Sequence, residues 1–175
     1  MIMRTGQQLL LPANPLFIWS SLLAALLLNF LLSTAWGRVA YVPDVVALVL
    51  VFWSVHQPLR IGIGIAFCFG LAMDVQQGAL LGQHALCYSA LSFGAIAVHR
   101  RLLWFSVPSQ ALQVLPLFLA AHALELTLRL LGGGIFPGFS TFFAPALEAL
   151  LWPVISIMLL APQRRAPDPD ANRPL

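Results

Sequence analysis

The chain has 175 residues, of which 60% are hydrophobic and only 9% charged, against roughly a quarter charged in a soluble domain. Its mean hydropathy is +0.89, and a surface this apolar drives association in water, which excludes a soluble globular domain and makes lipid the fitting solvent. The net charge of +3 comes from nine cations that are all Arg; they are scattered through or between apolar runs, without a basic stripe or interleaved aromatics, which excludes nucleic-acid binding.

A helical span needs about 20 mostly apolar residues. The first run, Pro15 to Trp36, is longer than the apolar region of a secretory signal, so it reads as an uncleaved first span. Trp19 and Trp36 stand near its ends, where an interfacial aromatic belt would hold them. Span 2 runs from Tyr41 to His56 and is short; Pro58 and Arg60 break the chain after it. Span 3 covers Arg60 to Gly78, span 4 Leu81 to Leu103, span 5 Ser109 to Leu131 and span 6 Phe143 to Ala161. Pro116 and Pro153 fall inside spans 5 and 6 and are expected to kink them. Runs such as Leu22 to Leu32 do not alternate, as barrel strands do. In lipid each backbone polar group must be satisfied within the segment, which leaves the helix. The expectation is an all-α polytopic bundle of six transmembrane helices over residues 15–161. A short cytoplasmic segment, 1–14, precedes it, and a disordered, Pro-rich cytoplasmic tail, 162–175, follows.

Orientation follows from Arg placement. With the N-terminus cytoplasmic, Arg4, Arg60, Arg100, Arg101, Arg164, Arg165 and Arg173 lie inside, and only Arg38 and Arg129 outside. The intramembrane acids then gather in the outer half: Asp44 opening span 2, Asp74 late in span 3, Glu125 in span 5 and Glu148 early in span 6, with His84 opening span 4. Ionisable groups inside spans usually face a bundle interior or an aqueous cavity. Asp44 and Glu148, near span ends, are expected at the wet interface; Asp74 and Glu125, deeper, are expected to serve packing or function. Glu125 and Arg129, four apart, share a helix face with His122 and are expected to pair.

Span 3 carries Gly62, Ala66, Gly70, Asp74 and Gly78 at every fourth position, with Gly82 just beyond. Small residues in a stripe let helix backbones approach closely in lipid, and Asp74 is expected to accept hydrogen bonds from a neighbouring helix there. Three Gly and four Phe mark the linker from Gly132 to Phe143 as an interfacial or partner-contact loop. Cys68 and Cys87 lie in apolar stretches without metal spacing and read as small buried hydrophobes. No catalytic motif, metal-ligand pattern or phosphate loop is present, and the four His fall on different spans without a shared spacing. No cofactor and no enzymatic activity are expected.

Pro43 and Asp44 opening span 2, Pro58 and Arg60 after it, then Gly70, Met73, Asp74, Gly78, Gly82 and His84, and finally Leu151, Trp152 and Pro153, together resemble the rod shape-determining MreD family. The resemblance covers about Pro15 to Pro162 and is most specific between Pro43 and Leu86. Where that family often has Asn between the Arg and Gly that open span 3, Ile61 stands here. The resemblance implies a non-enzymatic inner-membrane component of the bacterial cell-elongation machinery. Its implied partners are MreC, the actin-like MreB, the glycosyltransferase RodA and the elongation penicillin-binding transpeptidase. A different class stays open: a small-molecule binding or carrier subunit, similar to the substrate-binding component of energy-coupling-factor transporters. That reading requires an outward pocket lined by Asp44, Asp74, His84 or Glu125.

Overall fold

The computed structural model describes residues 13–36 and 42–163, with the side chain of Trp36 outside that description. Most of the expected N-terminal segment 1–14 and tail 162–175 therefore lies outside the described residues, as does the belt position of Trp36. The described chain is all helical: α1 Pro15–Trp36, α2 Val45–His56, α3 Ile63–Gln77, α4 Gln83–Leu102, α5 Val107–Leu131 and α6 Phe143–Leu160. Short 3-10 turns, Phe139–Phe142 and Ala161–Gln163, flank α6.

Helix α2 is the axis of the bundle. Every residue from Val45 to Val55 is buried, as a helix apolar on all sides must be when neighbours surround it. It packs against α1, α4 and α6, while α4 also packs against α3 and α5, and α5 against α6. Its 12 residues rise only ~18 Å, short of the ~30 Å hydrocarbon core. The expected start at Tyr41 moves to Val45 because Asp44 caps the helix, its carboxylate accepting from Ala47 N at 3.0 Å. Among the described residues three helical stretches are long and apolar enough to cross a membrane: Pro15–Ala35, Val107–Leu131 and Phe139–Gln163. Shorter apolar helices, α2 and α3, pack among them. The molecule is a membrane helix bundle, with Leu16, Leu27, Phe93, Leu112, Leu150 and Ile157 on its exposed apolar outside.

The span 3 stripe separates into distinct roles. Ala66 and Gly70 are buried on α3. A Cβ added at Gly70 would overlap the backbone of Ala85 and His84, so glycine is what lets α3 and α4 touch. Gly62 is instead the N-cap of α3, with nothing within 4 Å of an added Cβ. Gly78 is its C-cap, in the left-handed region at φ 57°, and Gly82, at φ 100°, is the N-cap of α4. Pro116 and Pro153 both sit inside continuous helices. Ile61 is buried in the core. Cys87 is buried as expected, but Cys68 is exposed, because it lies on the face of α3 turned away from α4.

Candidate functional site

Beyond the core, the bundle holds a connected set of polar side chains at the end where α2, α4 and α6 begin and α1, α3 and α5 finish. Asp74, on the last turns of α3, is completely buried on its side chain. Its Oδ1 accepts from His84 N at 2.7 Å and from the His84 ring at Nδ1, 2.8 Å. Its Oδ2 accepts from Gly82 N at 2.7 Å. The free N–H groups of the first turn of α4 are thus satisfied by a carboxylate from the preceding helix, where the helix dipole also favours negative charge. The expectation that Asp74 accepts hydrogen bonds from a neighbouring helix matches this geometry.

From His84 the set continues across the bundle. His84 Nε2 faces Glu125 Oε1 at 3.6 Å, and His122 Nδ1 lies 3.9 Å from Glu125 Oε2. His122 Nε2 donates to Glu148 Oε1 at 2.9 Å, and the same oxygen accepts from Asp44 N at 3.0 Å. Asp44 in turn accepts from Asn29 Nδ2 at 2.7 Å and from the Tyr88 hydroxyl. Asn29 closes the connection by accepting from Val45 N at 3.0 Å. Each of the six helices, α1 to α6, is linked to this set: Asn29, Asp44 at the head of α2, Asp74, His84 with Tyr88, His122 with Glu125, and Glu148. Buried networks of this kind are costly half-made and rigidifying when complete.

Several expectations change here. Glu148, expected at a wet interface, is fully buried, while Glu125, expected deeper, keeps 31% of its side chain exposed. Sequence depth along α6 misleads because His122 of α5 and the backbone of Asp44 at the head of α2 close on Glu148. Arg129 makes no ion pair with Glu125 among the described residues; the two imidazoles take that carboxylate instead, and Arg129 lies exposed toward Gly134. The four His, which share no spacing, divide by the fold: His84 and His122 converge on Glu125, whereas His56 and His99 bond backbone carbonyls elsewhere. Asn29 and Tyr88 were not singled out by sequence. The one signal for Asn29 was its being the sole amide within the apolar run of α1.

A cavity of about 390 Å³ adjoins this network, lined by Asp44, His84, His122, Glu125 and Arg129 among others. Asp74 does not line it. A second void of about 20 Å³ shares Asp44, His122 and Glu125 with it and is lined also by Tyr88, Cys87 and Glu148. Among the described residues no group of three or more His, Cys, Asp or Glu is disposed to hold a metal ion. A pocket lined by Asp44, His84 and Glu125, three of the residues that the small-molecule alternative names, is present, although the same side chains also pack against one another.

Fold and site together define a small membrane helix bundle whose six helices are cross-tied by a buried acid–imidazole network at one end. A family model described as rod shape-determining protein MreD matches residues 12–164. The chain belongs to the MreD family, and membership gives it a role in bacterial rod-shape determination. It is similar to the rod shape-determining protein MreD of Haemophilus influenzae (strain ATCC 51907 / DSM 11121 / KW20 / Rd). The two are 25% identical over 154 residues, which cover 84% of this chain and 93% of that protein. No solved structure matches the chain.

Proposed function

We propose that the protein is a non-catalytic scaffold of the elongation complex, docking MreC and, through it or directly, MreB, RodA and the elongation transpeptidase. The observation that carries this reading is the polar network to which all six helices contribute. A scaffold must present fixed surfaces, and a cross-tied helical end supplies rigidity that apolar packing in lipid alone does not. The topology belongs to the same proposal: six crossings of the cytoplasmic membrane over residues 15–161, both termini cytoplasmic, and the network in the outer half. Arg60, Arg100 and Arg101 then fall on the cytoplasmic side. Within the stripe of Gly62, Ala66, Gly70, Asp74, Gly78 and Gly82, the part that shapes the surface is Ala66, Gly70 and Asp74 at the α3–α4 contact, while Gly62, Gly78 and Gly82 fix the helix ends.

The test is Asp74→Ala in cells whose protein level matches the wild type. Loss of co-purification with MreC and rounding of the cells is the expected result. Normal rods with intact co-purification would sink the proposal.

A further inference from the structure

The acid-rich end contains a buried carboxylate oxygen that the network does not serve. Glu148 is fully buried, and its Oε2 has no hydrogen-bond partner among the described residues. A buried acceptor left unpaired costs the full desolvation of that group, so this atom calls for a donor that the described residues do not provide. Glu148 borders the inner void of about 20 Å³, room for about one water-sized group. The wall of that void is otherwise Asp44, Glu125, Tyr88 and His122 on its polar side. The lining of that void holds three carboxylates, Asp44, Glu125 and Glu148, against one imidazole, His122, among the described residues. A compact cation with several N–H donors fits both the size and the sign; a primary ammonium has three donors and no acceptor.

The outer cavity supplies the second half of the recognition. Arg129 follows Glu125 by one helical turn, ~6 Å along α5, and lines the 390 Å³ space without a carboxylate partner among the described residues. A guanidinium placed there receives a phosphate oxygen pair well. We propose that the two cavities form one site for an aminoalkyl phosphate group: the ammonium enters the inner void against Glu148 Oε2 and Glu125, and the phosphate rests on Arg129. The group can be borne by a lipid headgroup or by a soluble compound. This inference does not depend on the scaffold reading.

The test uses the full chain in phosphatidylcholine nanodiscs, titrated with O-phosphoethanolamine or O-phosphocholine, whose trimethylated nitrogen has no N–H and exceeds the inner void. O-phosphoethanolamine is expected to raise Tm saturably, by roughly 5 °C near saturation, and O-phosphocholine not to. Glu148→Gln is expected to abolish the rise, and Arg129→Ala, which leaves the buried network intact, to weaken binding at least about tenfold. Exchange of the disc lipid for phosphatidylethanolamine separates the sources. A lipid-borne group raises Tm by itself and removes the response to the soluble probe; a soluble ligand still produces its response in those discs. The proposal is overturned if neither ethanolamine form raises Tm above its choline counterpart, or if the rise persists undiminished in Arg129→Ala. The Arg129 arm decides the matter even where Glu148→Gln does not fold.

Discussion

Asp74 and His84 are joined twice, backbone N–H to carboxylate at 2.7 Å and ring N–H to carboxylate at 2.8 Å. The pairing binds the end of α3 to the start of α4 across the five-residue link that begins at Gly78. It does the work of an N-cap that Gly82, lacking a side chain, cannot perform for itself. Removing the carboxylate leaves the N–H groups of Gly82 and His84 unanswered and His84 Nδ1 without its partner. Asp74→Ala is expected to destabilise the protein by about 3–5 kcal/mol, and Asp74→Asn, which retains one acceptor oxygen, by clearly less. Thermal unfolding in detergent, monitored by helical circular dichroism, measures both.

Gly70 and Gly62 lie on one sequence stripe but have opposite surroundings. Gly70→Ala places a methyl against the backbone of Ala85, which no rotamer change relieves, and the expected cost is about 3 kcal/mol, the upper end for overpacking. Gly62→Ala meets open space, and at an N-cap the exchange costs about a few tenths of a kcal/mol or more, below the Gly70 effect. Equal melting shifts from the two variants would contradict the close α3–α4 approach.

The two acid–base pairs of α5 also separate. His122 and Glu148 are hydrogen-bonded at 2.9 Å with Glu148 fully buried, so a double-mutant cycle with Gln at each position is expected to give a coupling of about 1–3 kcal/mol. Glu125 and Arg129 are not paired among the described residues, and the corresponding cycle is expected to fall within about 0.5 kcal/mol of zero. A large Glu125–Arg129 coupling would restore the local ion pair that four-residue spacing suggests.

Tyr88→Phe removes the hydroxyl that bonds Asp44 while keeping the ring. A carboxylate oxygen then loses its donor inside the bundle, with an expected cost of about 1–3 kcal/mol. Chemical denaturation of the purified protein reads the change; an unaltered midpoint would remove Tyr88 from the network.

The two thiols provide a check on packing that needs no new side chain. Cys68 is exposed and Cys87 buried. In mild detergent a small maleimide is expected to label Cys68 in the native state and Cys87 only after unfolding, as peptide mass analysis would show. Native labelling of Cys87 at the same rate would mean that α4 is not enclosed as described.

How far the sequence was legible varies with the range of the interaction. Helix α1 runs from Pro15 to Trp36 as hydropathy placed it, and each of the other five helices falls where an apolar run was read. Those limits depend on residues a few positions apart: Asp44 capping α2, Gly78 ending α3, and Pro108 in the first turn of α5. The site was legible only in its membership. Asp44, Asp74, His84, Glu125 and Glu148 stand out because ionisable residues are rare in apolar runs. The partners were not legible, and the expected Glu125–Arg129 pair failed because a helical repeat states which neighbours can meet, not which competitor arrives from another helix. His84 and His122 are 38 positions apart and meet on Glu125 only once α4 and α5 are packed.

The chain by itself therefore determined the solvent, the helical class and the places where charge is confined, because these follow from the cost of exposing peptide groups and ions to lipid, residue by residue. Tertiary structure alone decided that α2 is the enclosed axis, that Glu148 is buried deeper than Glu125, and that one oxygen of Glu148 has no partner among the described residues. Each depends on which helix covers which, a property of contacts between distant segments that no local pattern contains.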